Sequence, residues 1–227
     1  MGFKGFNLPT SGSPGFLGHS SHGASATQYE NLAARLLHAG EADPYVFAMT
    51  SAVPGEGVTT VVTGAALALA ANTTERVVIV DTNLRHPALH RFMGTPLAPG
   101  FHELVTAAAS REPCQKNSSA EASATCAYKT RLPNLWVIPA GALASNPAKL
   151  LTSDAAKAQI DLLRAQFRYV ILDCPPVLAA VEATSLCRLA DGVALVVRAN
   201  HTPREDIQKA QEALDGACLL GAILNGI

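Results

Sequence analysis

No stretch of the 227-residue chain approaches the roughly 18 consecutive apolar residues needed to span a bilayer. The longest candidate, residues 61–71, is interrupted by Thr63 and Gly64 and reads as a core helix. The first residues lack the apolar core of a signal peptide, and Met1-Gly2 is not followed by the serine or threonine of a myristoylation signal. The expectation is a cytoplasmic chain with no direct membrane insertion, for which any recruitment to the inner face of the cell membrane comes through a partner. An excess of one charge is missing too. The formal charge is −1 and the isoelectric point near 6.6, and the seventeen basic residues are dispersed, which leaves no electrostatic footprint for nucleic acid. Cysteine pairing is also absent. Cys114, Cys126, Cys174, Cys187 and Cys218 form no CxxC pair and no zinc spacing with histidine, and an odd number leaves one over, so a reducing compartment is the simplest setting. Finally, no lysine occurs between Lys4 and Lys116.

That last gap matters because of residues 46–60. Val46-Phe47-Ala48-Met49 is followed by Thr50-Ser51-Ala52-Val53-Pro54-Gly55-Glu56-Gly57-Val58-Thr59-Thr60. Four apolar residues in a row suit a strand covered on both faces, and a helix beginning near Thr59 would aim its free amides back at the loop, making an anion site. The spacing approaches GxxxxGK[ST], in which backbone amides cradle phosphates, a lysine reaches their far end and a hydroxyl binds magnesium. Pro54, Gly55, Glu56, Gly57, Val58, Thr59 and Thr60 are therefore the candidate phosphate-binding residues. Ala52 stands in place of the first glycine, which is tolerated where φ stays negative, and Val58 in place of the lysine. Losing the ammonium removes a charge-assisted hydrogen bond of roughly 1.5–3 kcal/mol in binding. It takes more from phosphoryl transfer, where the protein mainly positions groups and neutralises developing charge.

Along the rest of the chain, residues 1–26 are rich in glycine, serine and proline and are expected to form a disordered tail ahead of one folded domain, 27–227. A helix is expected over residues 27–38. A strand at 76–81 delivers Asp81 to the carboxyl edge of a parallel sheet, where ligands bind. Asp81 is a candidate for holding magnesium or accepting a proton, against the plainer role of capping a turn, and Arg85 for reaching an acidic partner or a phosphate. His86 and His90 are spaced like a helical metal pair but lack an HExxH glutamate, and an ordinary surface turn is expected there. Residues 111–132 turn polar and read as an insertion or mobile loop in which Cys114 and Cys126 are spare thiols. A strand at 135–139 and a helix over 153–167 lead to Tyr169-Val170-Ile171-Leu172-Asp173, an apolar strand that ends in a second carboxylate, Asp173, poised over a metal. Further strands are expected at 191–197 and 219–225, and Thr202-Pro203-Arg204-Glu205 reads as a capping box opening a helix. Strands separated by helices give an α/β fold with a doubly wound, mostly parallel sheet.

With these residues in place, the chain resembles the bacterial tyrosine kinases of capsule and exopolysaccharide synthesis, a branch of the P-loop proteins related to the MinD and ParA ATPases. The resemblance covers about residues 27–225. It is carried by SAVPGEGVTT, VVIVDTNLRHP, PAGALASNPAKLL, YVILDCPPVL, DGVALVVRANHTP and GAILN, in that order. It implies a P-loop NTPase fold and a cytoplasmic domain that binds ATP or ADP with Mg2+. Its implied partner is a membrane-spanning polysaccharide chain-length regulator, and its implied assembly a homo-oligomeric ring that phosphorylates tyrosines in its own tail. Thr59 matches the metal-binding hydroxyl, Asp81 the first Walker A′ aspartate, Asp173 the Walker B aspartate, Arg85 the arginine after A′, and Asn225 an asparagine near the base. Several positions depart from the pattern. Val58 replaces the lysine and Asn83 the second A′ aspartate. The ring motif ExxRxxR aligns with Thr27, Glu30 and Ala33, and no tyrosine follows Tyr169.

These departures imply a kinase-like regulator of polysaccharide polymerisation or export with lost or reduced phosphoryl transfer. Two alternatives stand beside it. One is an active ATP-dependent protein-tyrosine autokinase in which another basic group, Arg85 being nearest in sequence, replaces the lysine. The other is a MinD- or ParA-like ATPase switch, although that group also uses loop lysines.

Overall fold

The computed structural model describes residues 5–8, 24–39, 44–109 and 126–226. Eight strands form one sheet: β1 (Gly5–Leu8), β2 (Tyr45–Ser51), β3 (Val77–Asp81), β4 (Tyr128–Lys129), β5 (Leu135–Ile138), β6 (Tyr169–Asp173), β7 (Gly192–Arg198) and β8 (Leu219–Asn225). Their order is β1-β8-β7-β2-β6-β3-β5-β4, and every pairing is parallel except that of β4 with β5. Among the described residues the helices are α1 (Ala24–Ala39), α2 (Val58–Ala71), α3 (Leu89–Met93), α4 (Phe101–Ala109), α5 (Pro147–Leu151), α6 (Asp154–Gln166), α7 (Val181–Leu189) and α8 (Arg204–Ala213).

The apolar runs feed two cores because successive strand side chains point to opposite faces. Phe47, Met49, Val77, Ile79, Tyr169 and Ile171 meet α1, α2 and α3 on one face. Val46, Ala48, Val78, Val80, Val170 and Leu172 meet the remaining helices on the other. This doubly wound arrangement brings the carboxyl ends of β2, β3 and β6 together at one edge. Local signals set the helix starts. Asn146 accepts the Lys149 amide at 3.0 Å with Pro147 opening α5, and Ser153 accepts the Ala156 amide at 3.2 Å ahead of α6.

Several expectations change. Gly5–Leu8 pairs in parallel with β8, so regular structure begins inside the segment expected to be a tail, and α1 begins at Ala24 rather than near residue 27. The rest of that tail and residues 111–125 of the expected insertion lie outside the described residues. The end of that insertion is packed: Cys126 is buried in the core and Tyr128–Lys129 pairs with β5, so Cys126 is a small core side chain and not a spare loop thiol. Helices α3, α5 and α7 were not foreseen. Thr202 does not cap α8. The cap is Pro203 without a side-chain bond, and the Thr202 oxygen accepts the Arg198 amide while its hydroxyl donates to Glu56.

Helices α1 and α2 lie so close that a Cβ on Gly64 would overlap the ring of Tyr29. Gly64→Val is therefore expected to destabilise the protein by about 1–3 kcal/mol in chemical denaturation, and Tyr29→Ala in the same chain to recover part of that loss.

Candidate nucleotide site

The loop between β2 and α2 turns on two glycines, Gly55 at φ 85° and Gly57 at φ 84°, conformations that a side chain would strain. Ala52 needs no such freedom, since Asn200 is the sole non-glycine with positive φ among the described residues. Gly57 caps α2 and no side chain caps it, which leaves the first-turn amides directed into the loop. Pro54, Gly55 and Thr60 are exposed on its outer rim, and Thr59 is half-buried beneath them. Val58, the first residue of α2, is half-buried and packs against the apolar core under that helix. No charge replaces the lysine at this position.

Asp81 and Asp173 are register partners at the ends of β3 and β6, and both are essentially inaccessible. Asp81 accepts the amides of Asn83, Ala88 and Leu89, each at 3.1 Å. Burial nevertheless outweighs these amides and the nearby Arg91, raising the Asp81 carboxyl to about 6. Burial and the adjacent Asp81 charge push Asp173 well above the usual carboxylate range, against a hydrogen bond from Thr59. Asp173 Oδ2 is buried without a hydrogen-bond partner among the described residues. Two neighbouring acids, one with an orphaned oxygen, and a hydroxyl from the phosphate loop are the donor set of a hard divalent cation, so these residues fit Mg2+.

Thr59, Asp81 and Asp173 thus converge as the sequence predicts. Arg85 takes the acidic partner of the two that were envisaged: its Nε lies 2.6 Å from Glu182 Oε1 on α7, and Glu182 is completely buried. Asn225 is buried and donates to the Glu56 carbonyl at 3.0 Å, tying the end of β8 to the loop. Glu56, expected among the phosphate-binding residues, turns its carboxylate inward, where it accepts the Val53 amide at 3.0 Å and the Thr202 hydroxyl. His86 is exposed, and His90 is half-buried on α3. The roles of Glu182 and Thr202 were not legible in the sequence. A helical glutamate and a threonine before a proline look like surface chemistry until their tertiary partners are known.

The acid pair sets a pH dependence. A carboxyl whose folded pKa is raised keeps its proton to higher pH in the folded state than in the unfolded one, so its contribution to stability declines as pH rises from about 4 through about 6. Without divalent cations, Asp173→Asn is expected to stabilise the protein at pH 8 by on the order of 1–3 kcal/mol, and this gain should shrink towards pH 5. Thermal unfolding across that range measures it.

Comparison with known proteins fits this geometry, although no family model matches the chain. The tyrosine-protein kinase YwqD of Bacillus subtilis (strain 168) is 33% identical over 181 residues, covering 78% of this chain and 70% of the relative. The solved BceF tyrosine kinase domain superposes with a TM-score of 0.75 at 28% identity, covering 89% of this chain and 77% of that one. The septum site-determining protein MinD of Pyrococcus horikoshii OT3, complexed with Mg-ADP, gives a TM-score of 0.61 at 22% identity over 80% of this chain and 70% of that one, a likeness of fold alone. With a relative at that identity and coverage, and the two strand-end aspartates and the phosphate-type loop in place, the chain belongs to the bacterial tyrosine-protein kinase family, as a domain of the P-loop fold.

Proposed function

We propose that the protein is a nucleotide-binding, kinase-like regulator with reduced phosphoryl transfer. In this reading it acts in polymerisation or export of capsular polysaccharide or exopolysaccharide, through contact with a membrane-spanning chain-length regulator at the inner face of the membrane. The observation that carries the reduction is Val58, whose side chain is committed to the apolar core at the point where the family pattern has a lysine. Arg85 is a poor substitute, because withdrawing it from Glu182 would leave a fully buried carboxylate unpaired.

Binding draws on what remains. The free amides at the start of α2 and the turn through Gly55 and Gly57 suit the phosphates of ATP or ADP. Thr59, Asp81 and Asp173 would hold Mg2+, which when bound supplies positive charge to the phosphate oxygens. Asp81, poised near 6 and oriented by three amides, is placed to orient or accept the proton of a nucleophile. The chain has no positive side chain in the loop to neutralise charge as it develops, which is why transfer suffers more than binding.

The active autokinase is the second reading, favoured by the 33% identity to a tyrosine-protein kinase and by the intact pair of aspartates. Phosphate transfer from labelled ATP to tyrosine separates the two. The natural protein is expected to transfer at least about tenfold more slowly than Val58→Lys, with both signals lost in Asp173→Ala. Transfer by the natural protein at the rate of Val58→Lys would favour the autokinase.

A further inference from the structure

Phosphate loops are usually discussed through their glycines and lysine, yet here the most deeply engaged side chain in the loop is an acid. Glu56 is 1% exposed. Its Oε2 accepts the amide of Val53 at 3.0 Å, across the turn within the loop. Its Oε1 accepts the Thr202 hydroxyl and the Arg198 amide, the latter at 3.3 Å. Its backbone carbonyl accepts from Asn225 Nδ2 at 3.0 Å. Arg198 ends β7, Thr202 lies in the turn that follows, and Asn225 ends β8, so one residue of the loop is fastened to two neighbouring strand ends. The Thr202 hydroxyl also accepts the Arg198 amide at 3.2 Å, which closes the turn on itself.

We infer that Glu56 and Thr202 form a clamp that sets the open, phosphate-accepting shape of the loop in place of the missing lysine contact, with Thr202 as a positioning residue that never touches nucleotide. The inference rests on the nucleotide reading of this loop and adds the device that holds its shape. A buried carboxylate this close to a phosphate site repels the ligand unless its charge is spent elsewhere, and four donors from three segments spend it and its carbonyl inward. The arrangement also explains why Thr202 forgoes capping α8. Its oxygen, which a cap would use as acceptor, takes the Arg198 amide instead, while its proton goes to the Glu56 carboxylate. By the same geometry, the turn at 198–202 and the phosphate loop order together. Ligand that fixes the loop is expected to protect that turn as well.

The test compares the full-length natural protein with Thr202→Val, Thr202→Ser and Glu56→Gln by amide hydrogen exchange without ligand, thermal unfolding and calorimetric titration of Mg-ADP. Thr202→Val keeps the shape of the side chain and removes the hydroxyl. Exchange at the Val53 and Arg198 amides should accelerate about tenfold, and the Mg-ADP dissociation constant should rise by about the same factor, with Glu56→Gln moving both in the same direction. Thr202→Ser should restore both. Unchanged exchange in Thr202→Val overturns the clamp. A lowered unfolding midpoint with the dissociation constant unmoved overturns the positioning role and leaves a purely structural contact. Failure of the natural protein to bind Mg-ADP counts against the nucleotide reading itself, and the exchange comparison then decides the clamp alone.

Discussion

Two carboxylates buried side by side at the ends of adjacent parallel strands are the constraint around which the site is arranged. Asp81 and Asp173 cannot both ionise cheaply in a dry setting: burial raises both carboxyls, and the Asp81 charge adds to the rise at Asp173. Asp81 is partly relieved by three backbone amides, drawn from the segment that leads into α3. Asp173 is relieved by Thr59, which belongs to the phosphate loop. The remaining deficit is positive charge, which a divalent cation held by Thr59, Asp81 and Asp173 would supply. In the proposed reading, this apparent stability defect is retained because a bound ligand would relieve it.

The surroundings of the pair follow a consistent division of labour. The basic group named as a substitute for the lysine is occupied elsewhere: Arg85 neutralises the buried Glu182 on α7. The loop keeps its form through glycine geometry and through the inward contacts of Glu56. In the proposed reading, the binding that remains without a lysine at position 58 rests on backbone amides and helix polarity. Phosphoryl transfer would depend on that side chain more strongly, since developing charge must be neutralised there. One substitution can thus separate holding a nucleotide from using it.

Much of this was legible in the sequence, for a definite reason. Strands β2, β3, β6 and β7 are covered on both faces, so they appear as unbroken apolar runs, and the aspartates that close β3 and β6 stand out against them. The loop was legible because its glycines need positive φ. Elements whose character depends on a distant partner were not. Helix α7 is short and carries Glu182, which resembles a surface charge until Arg85 closes over it. Thr202 beside Pro203 and Glu205 has the local pattern of a capping box, but Glu56, 146 positions away, takes the hydroxyl. Cys126 sits at the end of a polar stretch whose overall composition hides its one buried side chain. Gly5–Leu8 is too short to show a period, and it becomes a strand because β8 offers it an edge.

The central claim is that amides, Thr59 and the two aspartates suffice to hold nucleotide without the lysine. Calorimetric titration of Mg-ADP into the natural protein, beside Val58→Lys, tests it most directly. Saturable binding to the natural protein, tightened roughly 10–100-fold by the lysine, is the expected result. Absence of binding to the natural protein, with binding appearing only in Val58→Lys, would contradict the account and leave a kinase-like scaffold that works through protein contacts alone.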